Sequence, residues 1–208
     1  METRVSTQPK VRITPEEYLV LERQAETKSE YLDGEMFAMP GVTLEHSMIV
    51  TNLAVELGTQ LWDRPFEVLG PELRVKVSST GLYTYPDVFI TGHEPALEDD
   101  HRDTVLDPIV IIEVLSDSTE SNDRGKKFAH FRALESLKEY FLVSQNEYRV
   151  ERFIRQEDGN WLYSEVTDDP EGSIEITSVV CRIPLSRIYH KVDFERAKER
   201  HSRSSEAT

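Results

Sequence analysis

Three charged side chains stand where the local pattern argues against charge. Asp87 follows Pro86 and opens the apolar run Val88-Phe89-Ile90, and Glu113 interrupts the run Ile109-Val110-Ile111-Ile112 before Val114-Leu115. A carboxylate in a central strand is costly unless it is paired or holds a cation. The third is Lys127. At about 100° per helical residue, Phe131 falls about 40° to one side of it and Leu134 about 20° to the other, so its charge lies along the apolar stripe. Asp123, one turn earlier, shares that face.

Two carboxylates at neighbouring strand ends and a lysine support one coherent chemistry. Oxygen ligands suit Mg²⁺ or Mn²⁺, which keep several waters and bind phosphate oxygens. Such a metal lowers the pKa of a bound water and neutralises charge building on a phosphodiester. The lysine orients that water or stabilises the negative phosphorus centre. Each residue also has an ordinary explanation. An Asp after Pro caps a strand, a buried Glu pairs within the core, and a Lys snorkels past Phe131. It is the coincidence of the three that favours a site.

The elements that must position them follow from the pattern. Thr14-Pro15-Glu16-Glu17 places Thr at the N-cap, Pro at the first helical position and Glu at the third, which starts a helix running to about Ala25. Ser29 to Met39 reads as a hairpin turning at Asp33-Gly34. A long helix spans Thr43 to Trp62, with Ile49, Val50, Leu53, Leu57 and Leu61 at helical spacing. Short strands are expected at Phe66–Leu69, Leu73–Val77 and Val88–Ile90. Gly92 to Asp107 reads as a polar, acidic insertion. Ile109 to Leu115, almost wholly apolar, reads as a central strand covered on both faces. A helix over Asp123–Leu137, a strand at Tyr140–Ser144, a hairpin of Arg149–Ile154 with Trp161–Val166, and a helix from Pro184 to about His190 complete the chain. No repeat or linker interrupts it. The expectation is one α/β domain, an α+β mixed sheet flanked by helices, over residues 14–194. Flexible segments are expected at 1–13 and 195–208.

Composition narrows the classes. The 208 residues carry 39 acidic and 24 basic side chains, a net charge of −15, with 38% hydrophobic and 30% charged residues. That is globular, and long enough to bury a core without staples. No apolar run approaches the roughly 20 residues of a membrane helix. METRVSTQPKVR has no apolar segment of the secretory type, and the lone Cys181 has no disulfide partner and reads as a small buried hydrophobe, so the cytoplasm is the expected compartment. Glycine-rich phosphate loops and Gly-x-Ser-x-Gly elbows are lacking, and the six histidines are scattered, with His93 and His101 read as solvated.

An ordered set of motifs carries a resemblance. Pro86-Asp87 followed by Glu113-Val114-Leu115 resembles a PD-(D/E)XK nuclease-like, restriction-endonuclease-like core, with Leu115 where that motif has its lysine. More specifically, the chain is similar to the Uma-two family of restriction-endonuclease-like proteins. It matches through TPEEYLVLE from Thr14, KSEYLDGE from Lys28, Glu45-His46, TYPDVFI from Thr84, IIEVLSDSTE from Ile111 and DRGKKFAHFRALESLKEYFLVSQ from Asp123. The resemblance implies that the lysine has moved to Lys127, in agreement with the helical wheel. It further implies Asp87 and Glu113 as ligands of Mg²⁺ or Mn²⁺, with the backbone carbonyl of Val114 as a third. Ser116, Asp123, Glu35 and His46 would be supporting residues around the same cleft. Two departures are Ser116-Asp117-Ser118-Thr119, where the family often has Ser-Pro-Ser-Thr, and Gln145, where it often has Asp.

The expected function is a Mg²⁺-dependent endonuclease acting on DNA, with a homodimer implied by resemblance. The alternatives are a non-catalytic binding or regulatory protein on the same fold and a hydrolase of smaller phosphate esters. Arg74, Lys76, Arg124 and Lys126, with Arg149, Arg152 and Arg155, are the candidate phosphate contacts. The acidic net charge does not veto this. Six acids lie in Glu94–Asp107 and five in Glu165–Glu175, away from the expected site. It does predict weak, strongly metal-dependent binding.

Overall fold

The computed structural model describes residues 12–116 and 119–195. Residues 1–11 and 196–208, which hold most of the two segments expected to be flexible, and the Asp117-Ser118 departure lie outside the described residues.

Helix α1 (Pro15–Glu22) starts as expected. The Thr14 hydroxyl accepts from the Glu17 N–H at 3.2 Å and the Glu17 carboxylate accepts from the Thr14 N–H at 2.7 Å, closing a capping box. Strands β1 (Ser29–Leu32) and β2 (Glu35–Ala38) form the expected hairpin. Its two turn residues both take positive φ, Asp33 at 51° and Gly34 at 84°, as a primed two-residue turn requires. Helix α2 (Leu44–Leu61), capped by Thr43, buries Ile49, Leu53, Leu57 and Leu61. Each such side chain contributes about 1.5–3 kcal/mol on burial.

There follow β3 (Phe66–Leu69), β4 (Arg74–Val77), β5 (Leu82–Thr84), β6 (Val88–Gly92), β7 (Thr104–Val105) and β8 (Val110–Leu115). The crossover after β8 comprises α3 (Glu120–Asn122), a π-helical turn over Asp123–Lys127 and α4 (Phe128–Phe131). Last come β9 (Glu139–Ser144), β10 (Arg149–Arg155), β11 (Trp161–Thr167), β12 (Ser173–Ile176), β13 (Cys181–Pro184) and α5 (Leu185–Ile188).

Two sheets carry the architecture, a mixed α+β arrangement. The larger runs β11-β10-β9-β8-β6-β3, antiparallel except for the parallel β8–β9 pair that the helical crossover makes possible. The smaller runs β2-β1-β5-β4-β7. As expected for its apolar run, β8 is interior and buried along its whole length. One face of the large sheet, including Val88, Ile90, Ile112 and Val114, packs under α2, α5 and the β12–β13 hairpin. The other face, including Phe89, Ile111 and Leu115, packs against Val75, Val77 and Leu82 of the small sheet and against Phe131.

Several expected elements differ. The helix foreseen over Asp123–Leu137 is interrupted by the π turn and ends at Phe131; Leu134 and Leu137 are buried, but from non-helical backbone. Apolar spacing reports burial, and here buried loop positions imitated a helix. Strands β5, β7, β12 and β13 go beyond the expected elements: β7 pairs with the distant β4, whereas β5 and the local β12–β13 hairpin are runs too short to show a clear alternation. The Gly92–Asp107 insertion supplies β7 and, in Glu98, Asp99 and Asp103, the anions for Lys76, Arg23 and Arg74. Cys181 is buried as expected, and burial raises its thiol pKa.

Candidate active site

Strand parity explains why Glu113 leaves the main core. Ile111, Glu113 and Leu115 share one face of β8, the face turned to the small sheet and the crossover. Antiparallel pairing matches Val88 with Ile112, so one step further sets Asp87 opposite Glu113. The pair is tied directly. The Asp87 N–H donates to Glu113 Oε2 at 3.3 Å, and the Val114 N–H donates to Asp87 Oδ2 at 2.8 Å. Pro86 carries no N–H for a ladder, and the chain passes here from β5 in one sheet to β6 in the other, which leaves Asp87 at the junction.

Lys127 reaches the pair from the π turn. Its Nζ lies 3.4 Å from Glu113 Oε1, 3.2 Å from Asp123 Oδ1 and 2.9 Å from Glu30 Oε1. The Tyr140 hydroxyl donates to the Asp123 carbonyl at 3.1 Å, and the Phe128 ring stacks on Tyr140 at 5.0 Å. These contacts anchor both ends of the π turn that aims Asp123 and Lys127 inward. A mid-helix π turn of this kind is frequent at functional sites.

His46 stands in the first turn of α2, buried, with Nε2 3.2 Å from Asp87 Oδ2. Its Nδ1 is buried without a hydrogen-bond partner. Ser116 lines the same space, its hydroxyl 3.1 Å from that of Thr119. Gln145 accepts from the Thr43 hydroxyl at 3.0 Å across the cleft floor. Together these residues line an open cleft of about 570 Å³.

The electrostatics are one-sided. Glu30, Glu113 and Asp123 converge on the single ammonium of Lys127, and Asp87 adjoins Glu113. Burial pushes the Glu113 carboxyl well above the usual carboxylate range; Lys127 opposes this, and Asp123, Asp87 and Glu30 reinforce it. Burial likewise raises Asp123, against the pull of Lys127. For Lys127 burial disfavours the ammonium, but Glu113, Glu30 and Asp123 together outweigh it and hold the group well above the ordinary lysine value.

Among the described residues no three His, Cys, Asp or Glu side chains already converge as a metal cage. The donor set nevertheless fits a hard divalent cation. Mg²⁺ is held by one or two carboxylates with water and substrate oxygens, and Asp87 and Glu113 adjoin in a cleft whose negative charge one lysine does not balance.

The structure thus brings together Asp87, Glu113, Val114, Lys127, Asp123, Ser116 and His46. It does not bring Glu35 to the centre. Glu35 pairs with Leu32 beside the hairpin turn and is not among the cleft-lining residues. Glu30, on the partner strand, contacts Lys127 instead, and the Thr84 hydroxyl donates to it. The signal for Glu30 was available in Ser29-Glu30-Tyr31-Leu32, where alternation sets Glu30 opposite in facing to the buried Tyr31. Of the candidate phosphate contacts, Arg74 is buried against Asp103, Thr104 and Tyr85. Lys76 pairs with Glu98, Arg124 with Glu120 and Glu151, and Arg152 with Glu139. Arg149 meets Glu151, and Arg155 donates to backbone carbonyls. Lys126 is exposed and lines the cleft.

Two sheets and the crossover thus bring paired carboxylates and a lysine to one cleft of a mixed α+β fold. The fold matches a crystal structure described as a putative nuclease belonging to DUF820 from Anabaena variabilis, with a TM-score of 0.69 and 20% identity over 85% of this chain and 97% of that one. Residues 15–180 match the family Uma2, described as "Putative restriction endonuclease", and the chain belongs to that family. Two Synechocystis proteins are similar to it. The uncharacterized protein sll1609 is 35% identical over 74% of this chain and 87% of its own length. The uncharacterized protein slr1290 is 31% identical over 89% and 96%.

Proposed function

We propose that this chain is a divalent-metal-dependent endonuclease hydrolysing phosphodiester bonds of DNA, its chemistry carried by Asp87, Glu113 and Lys127. The observation that carries this reading is the direct contact of Asp87 and Glu113 at one wall of the cleft, with the Lys127 ammonium 3.4 Å from Glu113. The family description and the nuclease title of the solved neighbour support it.

Asp87, Glu113 and the backbone carbonyl of Val114 would hold Mg²⁺ or Mn²⁺. Bound there, the ion would supply an activated water and offset charge developing on the phosphate. Lys127, kept charged by its three carboxylates, orients the attacking water or stabilises the negative phosphorus centre. Asp123 and Glu30 position the Lys127 ammonium, and His46 and the Val114 N–H fix the Asp87 carboxylate. With this function we associate a domain over residues 14–194, a homodimer that brings two sites to two strands, and the cytoplasm. Among the described residues no helix is long and apolar enough to cross a membrane.

The test is a nicking assay on single- and double-stranded DNA and RNA with Mg²⁺ or Mn²⁺, with Asp87→Ala as control and Mn²⁺ calorimetry on both proteins. Cleavage and metal binding that vanish in the folded variant uphold the proposal. Intact nucleic acid under every condition would replace it with the non-catalytic binding protein. Turnover of small phosphate esters alone would replace it with the smaller hydrolase.

A further inference from the structure

We propose that the cleft takes a single-stranded segment of DNA, an unpaired base lying against Phe37 while its phosphate passes Lys126 toward the acidic centre. This rests on the nuclease function already proposed and narrows its substrate.

The first observation is register. Phe37 pairs directly with Glu30 across the β1–β2 hairpin. Directly opposed residues share a face, so the ring stands beside the carboxylate that touches Lys127. Tyr31 and Met36, one step along, occupy the other face in the small tyrosine core.

The second is composition. From Phe37 to Val42 the chain reads Phe-Ala-Met-Pro-Gly-Val, six residues without a polar side chain, and all six line the cleft. Phe37 is 48% exposed and Val42 65% exposed. An aromatic ring and its apolar neighbours therefore form part of the cleft wall next to a cluster of carboxylates.

The third is where the cations go. A duplex is held chiefly by several simultaneous phosphate contacts. Arg74, Lys76, Arg124 and Arg152 are all engaged by internal carboxylates. In the cleft, the basic groups besides the buried Lys127 are Lys126, His130 and His46, the last held against Asp87. With a net charge of −15, phosphate attraction alone gives little affinity. Stacking on Phe37 can supply what electrostatics does not, and it requires a base whose face is not already covered by its neighbours.

The experiment measures fluorescence anisotropy of the full chain with single-stranded and duplex oligonucleotides of one sequence, in Ca²⁺ without Mg²⁺, followed by cleavage of both in Mg²⁺. Single strands should bind and be cut in preference to duplex. Phe37→Ala should weaken single-strand binding by roughly tenfold, with Phe37→Tyr restoring it. Lys126→Ala should weaken both substrates and flatten their salt dependence. Equal or better use of duplex, with cleavage still dependent on Asp87, overturns this inference and leaves the nuclease proposal standing. A Phe37→Ala protein with unchanged strand selectivity but altered sedimentation would assign the apolar wall to a second copy of the chain, and also overturns it. Neither binding nor cutting of any strand defeats both proposals.

Discussion

Two polar clusters in this protein differ in burial and in charge balance, and they behave in opposite ways. Beneath the small sheet, Arg23 and Arg74 face Asp99 and Asp103, two cations to two anions, with Thr104 and Tyr85 accepting hydrogen bonds from Arg74. Hydrogen bonds from Arg23, and then from Arg74, pull the Asp103 carboxyl far below the usual carboxylate range despite partial burial. In the cleft, Glu113 and Asp123 are almost wholly buried and share one lysine with Glu30, and burial pushes both of them up instead. A balanced cluster is finished by its own side chains and stabilises the fold. An unbalanced one holds charge that the fold itself leaves uncompensated, and that difference separates a structural network from a site that can take a cation.

The comparison breaks most readily at Asp87. Asp87→Ala or Glu113→Gln should lower metal-dependent cleavage by more than about a hundredfold with an unchanged circular-dichroism spectrum, because each removes a proposed ligand itself. Comparable activity in either variant would remove the functional half of the contrast. Asp103→Asn should do the reverse. It leaves two guanidiniums facing Asp99 alone and should cost about 2–4 kcal/mol in urea unfolding, below the fully buried range because Asp103 keeps 28% exposure. Cleavage per folded molecule should stay the same.

Acid sharpens that second effect. The folded pKa of Asp103 is depressed, so its contribution is complete above the unfolded value of about 3.9 and is lost as pH falls toward the folded one. The stability gap between wild type and Asp103→Asn should be constant near neutrality and narrow below about pH 4. At the other cluster, the raised pKa of Glu113 means that its charged form is disfavoured by folding. Glu113→Gln should therefore raise the melting temperature in EDTA while abolishing activity, and a lower one would contradict the charge imbalance. Saturating Mn²⁺ at about a hundred times its Kd should stabilise wild type by about 2.7 kcal/mol, and Glu113→Gln should lose most of this gain.

How much of this was legible beforehand differs by residue. Asp87 and Glu113 announced themselves because a carboxylate beside or inside an apolar strand violates a local rule. Lys127 did so through a helical wheel that was right about its facing even though the backbone there is a π turn. Arg74 looked like a surface cation of a strand; nothing local told that Asp103, 29 positions away, would bury it. Glu35 is implied by the resemblance alone; Glu30 shares its face of the hairpin, and only the approach of the crossover to β1 selects Glu30.

The caps and turns belong to the sequence alone. Thr14 and Thr43 at the two N-caps, the primed turn at Asp33-Gly34, and the alternation that turns Glu113 away from Ile112 and Val114 are settled within a few residues, where steric and hydrogen-bond preferences act. Tertiary structure alone decided which element covers the face that Glu113 occupies. The small sheet and the π turn arrive there through pairings and burial between distant segments, and so a misfit glutamate in one strand becomes one of three carboxylates around a single lysine.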